Sequence, residues 1–146
     1  MRRYPKIPLV GVGAVIVENG KILLVKRANE PNKGKWSVPG GLVRSGEKLK
    51  EALKREIREE LGVEIETGDV AWITDEIYFD RNGRVEYHYI VIDLFARIVD
   101  GVPKAMSDAD EVRWFDLSKI NDVNTVDFVE RLAKKLLSDG DEIYIS

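Results

Sequence analysis

Three carboxylates in this chain have a spacing that could do chemistry. Glu56, Glu59 and Glu60 stand at i, i+3 and i+4, so on a helix they project from one face of a single turn. Like charges this close repel, and a hard divalent cation relieves the repulsion. Magnesium takes oxygen ligands, commonly one or two carboxylates with a substrate's phosphates completing its shell. Runs of Glu mixed with Lys and Arg also form ordinary solvated faces, and Lys48, Arg55 and Arg58 are close by, so the triplet alone fits both readings. The preceding segment favours the first. Pro39-Gly40-Gly41 and Gly46-Glu47 lead into the same helix, and glycines let bare backbone approach an ion or a phosphate.

The elements that must position these groups are legible from periodicity. Leu49, Leu53, Ile57 and Leu61 recur every four residues, and Gly62 supplies a stop, which predicts a helix over 48–61. Ahead of it, 9–18 and 22–26 read as strands joined by the Asn19-Gly20 hairpin signal, followed by a turn-rich loop over 28–35. After it, 70–79 and 84–98 are rich in Ile, Val, Tyr and Phe and are split by Asp80-Arg81-Asn82-Gly83, so both are expected as strands. The acidic segment 106–111 reads as a loop before a short strand at 112–115. Residues 125–137 carry apolar residues at helical spacing, with Asn124 or Thr125 as cap and Gly140 as stop. With no repeat or linker, the expectation is one α+β domain over 1–146, with a mixed sheet and at least two helices.

Composition narrows the function classes. The 146 residues are 44% hydrophobic and 34% charged, with 23 Lys+Arg against 26 Asp+Glu, enough apolar content for a packed core. Near balance of sign argues against a nucleic-acid binder that works by bulk basic charge. The absence of Cys excludes disulfides, thiolate metal sites and a cysteine nucleophile. No run approaches the roughly 18–20 apolar residues of a membrane span, and the basic N-terminal residues precede no apolar signal core. A cytoplasmic protein is the expectation. The chain also lacks Gln, a bias shared with heat-adapted proteins.

Gly41, then Glu47 after five residues, then Arg55-Glu56-Ile57-Arg58-Glu59-Glu60-Leu61-Gly62-Val63 after seven more, resembles the signature box of the Nudix hydrolases at every defined position. The flanks are similar too: the hairpin over 10–27, the Gly34-Lys35-Trp36 approach to the glycines, and Val112-Arg113-Trp114-Phe115 before an end helix. The resemblance implies an α/β/α sandwich around a mixed sheet, and hydrolysis of a pyrophosphate linkage in a nucleoside diphosphate joined to another moiety. It implies that Glu56, Glu59 and Glu60 hold magnesium or manganese, with a Gly40 or Gly41 carbonyl as a further ligand. Arg55 would orient the glutamates and Glu47 would support the box. The general base is expected either within the box or from the acidic segment, with Glu111 first and Asp108 next. Arg44 departs from the family pattern, since many members carry an acid there.

Candidate substrate contacts are fewer. Lys26 and Arg27 end the second strand beside the glycines, a place that fits phosphate contacts and a solvated strand end equally well. Trp36, Tyr78 and Phe79 lie near predicted loops, where an aromatic ring can stack on a base, although core packing is the commoner fate of each. His88, the only histidine, has no role that a carboxylate-and-metal site requires. Segments 84–93 and 109–115 are similar to Nudix proteins described as ADP-ribose pyrophosphatase-like, but no proline occurs between Pro39 and Pro103, where such enzymes often carry one. ADP-ribose or another ADP-sugar therefore leads. A nucleoside triphosphate, an oxidised nucleotide or a dinucleoside polyphosphate follows, and a non-catalytic nucleotide-binding module is the competing class. A homodimer is compatible with the resemblance, with no interface visible in the sequence.

Overall fold

The computed structural model describes residues 2–138 and the strand Tyr144–Ile145. In chain order the elements are β1 (Leu9–Val15), β2 (Val17–Glu18), β3 (Lys21–Arg27), β4 (Trp36–Ser37), β5 (Gly40–Leu42) and α1 (Leu49–Leu61). They continue with β6 (Glu64–Phe79), β7 (Val85–Asp100), β8 (Ala109–Asp116), a 3-10 helix (Leu117–Asp122), α2 (Asp127–Leu137) and β9 (Tyr144–Ile145). A five-stranded mixed sheet runs β5-β1-β7-β6-β9, with β1 parallel to β7 and β6 parallel to β9. A smaller antiparallel sheet pairs β3 with β2, β4 and β8.

The two helices cover two separate cores. Val12, Ala14, Leu23, Val25 and Leu94 pack with Leu53, Ile57 and Leu61 of α1. Val15, Ile22, Leu24, Trp36 and Trp72 pack with Phe128, Val129 and Leu132 of α2. Strand β3 thus sends alternate side chains to opposite cores, which explains why Ile22 to Val25 reads as a continuous apolar run. This is the α+β sandwich around a mixed sheet that the sequence led us to expect.

Several boundaries differ from expectation. The stretch 9–18 is two strands in two sheets, broken at Ile16. Its hairpin turn has Asn19 at φ 52° and Gly20 at φ 76°, as the Asn-Gly signal requires. Strand β6 starts at Glu64 rather than residue 70, and its ladder to β7 is interrupted by register shifts near Thr67 and Val70 that obscure the alternation of side chains. Strand β8 starts at Ala109, so Asp110 and Glu111 belong to it and not to a loop. Helix α2 starts at Asp127 with Val126 as N-cap. The expected caps are engaged elsewhere: the Asn124 carbonyl accepts from Trp36 N–H at 2.9 Å, and Thr125 bridges to Trp36. The Gly140 stop lies outside the described residues.

Candidate active site

Helix α1 buries Ala52, Leu53, Ile57 and Leu61 and ends on Gly62 in the left-handed region at φ 68°. Its remaining faces hold the acidic box. Arg55 is the organising cation. Its Nε and Nη2 donate to the two Glu47 oxygens at 2.7 and 2.8 Å, Nη1 donates to Glu56 at 2.7 Å, and Nη2 also donates to the Leu42 carbonyl at 3.0 Å. This bidentate pairing, with a further bond from Arg44 N–H, holds the Glu47 carboxyl down at about 2. The same carboxylates push Arg55 above its ordinary range.

Strand β5 brings the glycines against this network. A Cβ on Gly41 would overlap the Glu56 carboxyl, and one on Gly40 would overlap the Val12 carbonyl, so both positions exist for close approach. Gly40 N–H donates to Glu60 Oε1 at 3.2 Å. Glu60 is 8% exposed. Burial pushes its carboxyl up to about 8, reinforced by Glu56 and Asp108 and opposed by Gly40 N–H and Arg27.

Glu56 and Glu60 line one cleft together with Gly40, Gly41, Arg27 and Asp108. Glu59 points away from it. It is half-exposed, 3.4 Å from Arg55 and 4.0 Å from Arg44. Among the described residues no three carboxylates stand close enough to form a metal cage by themselves. The donor set nevertheless suits magnesium or manganese, because the ligands are hard oxygens and such ions keep open positions for water and phosphate. A cation would also remove the penalty on burying Glu60 in ionised form.

The other expected site residues divide clearly. Arg27 lines the cleft, with Nε donating to the Pro31 carbonyl at 2.7 Å, which fastens the 28–35 loop at its rim. Lys26, the next residue of an alternating strand, pairs opposite Glu111 and does not line the cleft. Glu111 is drawn to the same place, half-exposed and 3.4 Å from Arg113, so Asp108 is the acid of that segment that reaches the cleft. Asp108 also accepts from Asn29 Nδ2 at 2.9 Å. Trp36 is core, packed edge-on to Phe115 at 4.8 Å. Tyr78 accepts a hydrogen bond from Asn32 at 2.8 Å, and burial raises its hydroxyl to about 12. Phe79 is 63% exposed and sits with Arg3, Tyr4 and Asp80 at the β6–β7 hairpin, outside the cleft. The described contact of Gly40 is through its N–H and not its carbonyl.

The cleft also has a floor that sequence reasoning missed. Asp93, Val91, Tyr89 and Glu76 line it from β7 and β6, beside Gly11 and Gly13 of β1, together with Val38, Val126 and Phe128. The signal was present in principle: an acid within Ile90-Val91-Ile92-Asp93-Leu94-Phe95 is costly in a buried strand.

A family model described as the NUDIX domain matches residues 8–136. An ADP-ribose pyrophosphatase of Methanocaldococcus jannaschii is 37% identical over 113 residues, 77% of this chain and 64% of that protein. An oxidized purine nucleoside triphosphate hydrolase of Danio rerio is 28% identical over 112 residues, 73% of this chain and 65% of that protein. Each alignment therefore spans slightly less than two thirds of the relative's length. Among solved structures, a MutT NUDIX hydrolase from Burkholderia pseudomallei superposes with a TM-score of 0.76 at 31% identity, covering 90% of this chain and 99% of that one.

Proposed function

The chain belongs to the Nudix hydrolase family, and from that premise we propose that it is a divalent-metal-dependent pyrophosphohydrolase of nucleoside diphosphate derivatives, with ADP-ribose or a related ADP-sugar as the leading substrate. The observation that carries this reading is the close approach of Gly41 to Glu56 and of Gly40 N–H to Glu60 at the mouth of one cleft. Backbone and carboxylates are brought together there without an intervening side chain, and the same cleft is also lined by Val38, Val91, Val126 and Phe128. The 37% identity to an ADP-ribose pyrophosphatase supports the substrate choice.

Glu56 and Glu60 would hold magnesium or manganese, which when bound neutralises phosphate oxygens and acidifies an attacking water. Arg55 fixes the Glu56 carboxylate, and Glu47 fixes Arg55. Arg27, which lines the same cleft, would face the pyrophosphate charge. Water adds to one phosphorus while the bridging P–O bond breaks, and the bridging oxygen leaves on the other phosphate. Asp108, which lines the cleft where Glu59 does not, is the acid placed to take the proton of that water.

The test is a product analysis. Protein with magnesium should convert ADP-ribose to AMP and ribose 5-phosphate, and hydrolysis in ¹⁸O-water should label one product and so identify the attacked phosphorus. The Danio rerio relative supports a triphosphate as the second substrate class, for which the products would be a nucleoside monophosphate and pyrophosphate. Folded protein that turns over neither class would overturn the hydrolase reading and leave a nucleotide-binding module.

A further inference from the structure

Two guanidiniums line the cleft, and only one of them belongs to a strand. Among the described residues that border it, Arg2 and Arg27 are the cations, against the carboxyls of Glu56, Glu60, Glu76, Asp93 and Asp108. Arg27 ends β3. Arg2 comes from the chain ahead of β1, which forms no helix or strand and is nevertheless fastened. Tyr4 N–H donates to the Glu86 carbonyl at 2.7 Å, continuing beyond β1 its pairing with the β7 strand. Tyr4 Oη donates to Asp80 at 2.8 Å, and Arg3 Nε donates to the Glu86 carboxylate at 2.6 Å. The Arg84 guanidinium lies 4.7 Å from the centre of the Tyr4 ring. Tyr4 is held in the left-handed region at φ 53°, a conformation that a bulky residue keeps only where its surroundings fix it. Arg3 and Tyr4 are thereby tied to the end of the β6–β7 hairpin, outside the cleft, while Arg2 joins the lining of the cleft itself.

Arg2 makes no hydrogen bond or ion pair among the described residues, so its whole fork of N–H donors is open to a ligand. Arg27, by contrast, gives its Nε to the Pro31 carbonyl. Strand β7 sets Tyr89 between Leu9 of β1 and Glu76 of β6. Burial raises the Tyr89 hydroxyl, and Arg2 and Arg27 both oppose that rise, so both guanidiniums act on one place in the cleft. Glu76 responds to Arg27 and not to Arg2, so the two cations reach that place from different positions. Five acids repel a diphosphate, and a guanidinium fork is the side chain that pairs phosphate oxygens two at a time.

We infer that Arg2 is a phosphate-binding residue of the substrate site, delivered by the anchored segment 2–4 and holding the substrate's diphosphate together with Arg27. The inference rests on the reading that the cleft takes a nucleoside diphosphate derivative. Such a contact is made alike in the ground state and the transition state, so it acts on substrate binding and not on the chemical step.

The test measures binding of α,β-methylene-ADP with magnesium by calorimetry, beside adenosine, which has the same base and ribose but no phosphate. Arg2→Ala should weaken methylene-ADP by about tenfold, the worth of one charge-assisted hydrogen bond, and leave adenosine within about twofold. Arg2→Lys keeps the charge without the fork and should lose about threefold. Tyr4→Ala removes the Asp80 bond and the Arg84 contact without altering a lining residue. It should weaken methylene-ADP in wild type and add no further loss in Arg2→Ala, because both changes remove one contact. With ADP-ribose, Arg2→Ala should raise KM by about tenfold with kcat within about twofold of wild type. Full methylene-ADP binding in Arg2→Ala or in Tyr4→Ala, an equal loss of adenosine, or additive losses in the double variant would overturn the inference. Methylene-ADP binding that depends on Arg2 without turnover of ADP-ribose defeats the hydrolase reading alone, and turnover indifferent to Arg2 defeats the phosphate-binding role alone.

Discussion

Two pairs of acids at the cleft stand in opposite circumstances, three of them lining it and Glu47 held behind Glu56 by Arg55. On the α1 side, Glu47 and Glu56 share the guanidinium of Arg55, with bonds of 2.7–2.8 Å to both, and Glu47 is held ionised to about pH 2. On the sheet side, Asp93 has no partner among the described residues and Glu76 is largely buried, so burial raises both. The paired side keeps fixed negative charge where cations and phosphate would meet. On the unpaired side burial favours the neutral form of both acids. One cleft thus presents two chemistries, and the presence or absence of a single arginine separates them.

The comparison breaks first at Glu60, which belongs to neither pair and would carry the cation. Glu60→Gln retains an acceptor for Gly40 N–H, so the fold should persist while magnesium-dependent turnover falls by roughly 10³-fold, on the scale of losing a principal electrostatic group. Initial rates at saturating magnesium check it, and a fall of less than tenfold would remove Glu60 from the ligand set. Next, Arg55→Ala turns the paired side into an unpaired one. Glu47 and Glu56 lose their shared cation, and kcat/KM should drop by about 10- to 100-fold, the range typical of lost ligand support. If activity were unchanged, Arg55 would be a solubility feature of the helix.

The unpaired side is sharpened by stability against pH. The Asp93 carboxyl is raised in the folded protein, to about 8 from an ordinary 3.8. Its contribution is fully present below the unfolded value and is lost as pH rises through the folded one. Asp93→Asn should therefore be more stable than wild type at pH 8.5, by several kcal/mol, with the difference vanishing near pH 4. Urea unfolding at the two pH values measures this, and a pH-independent difference would mean the acid is ionised throughout. The smallest effect is expected outside both regions. Phe79→Ser, at the exposed β6–β7 hairpin, should leave turnover within about twofold of wild type, as surface substitutions away from such features do.

Much of the paired side was legible in the sequence because it is local. Glu47, Arg55, Glu56 and Glu60 lie within one helix and its approach, where fixed residue spacing is fixed geometry. The unpaired side was not, because Asp93 meets Gly13 only through pairing of strands distant in the chain, and spacing along one strand says nothing about its neighbour across the sheet. The acidic segment illustrates a third case. Extending β8 back to Ala109 places Glu111 opposite Lys26 and beside Arg113, leaving Asp108 at the cleft; a shift of strand boundary by a few residues exchanges which acid is useful. Trp36 likewise lies beside the glycines in sequence, but its ring faces Phe115 in the core.

The parallel pairing of β1 with β7, which sets Leu9 beside Tyr89, bears on how the molecule comes into being. Helix α1 and strand β5 are neighbours in the chain and meet at the cost of closing a short loop. Strand β1 must wait for nearly two thirds of the polypeptide to be available, and long loops make such contacts late and slow. During synthesis the acid-bearing helix can therefore exist before the floor of the cleft does. The sheet side of the cleft, with its buried carboxyl and no local support, therefore matures after the helix, so folding errors should cost the protein that floor before they cost it the helix.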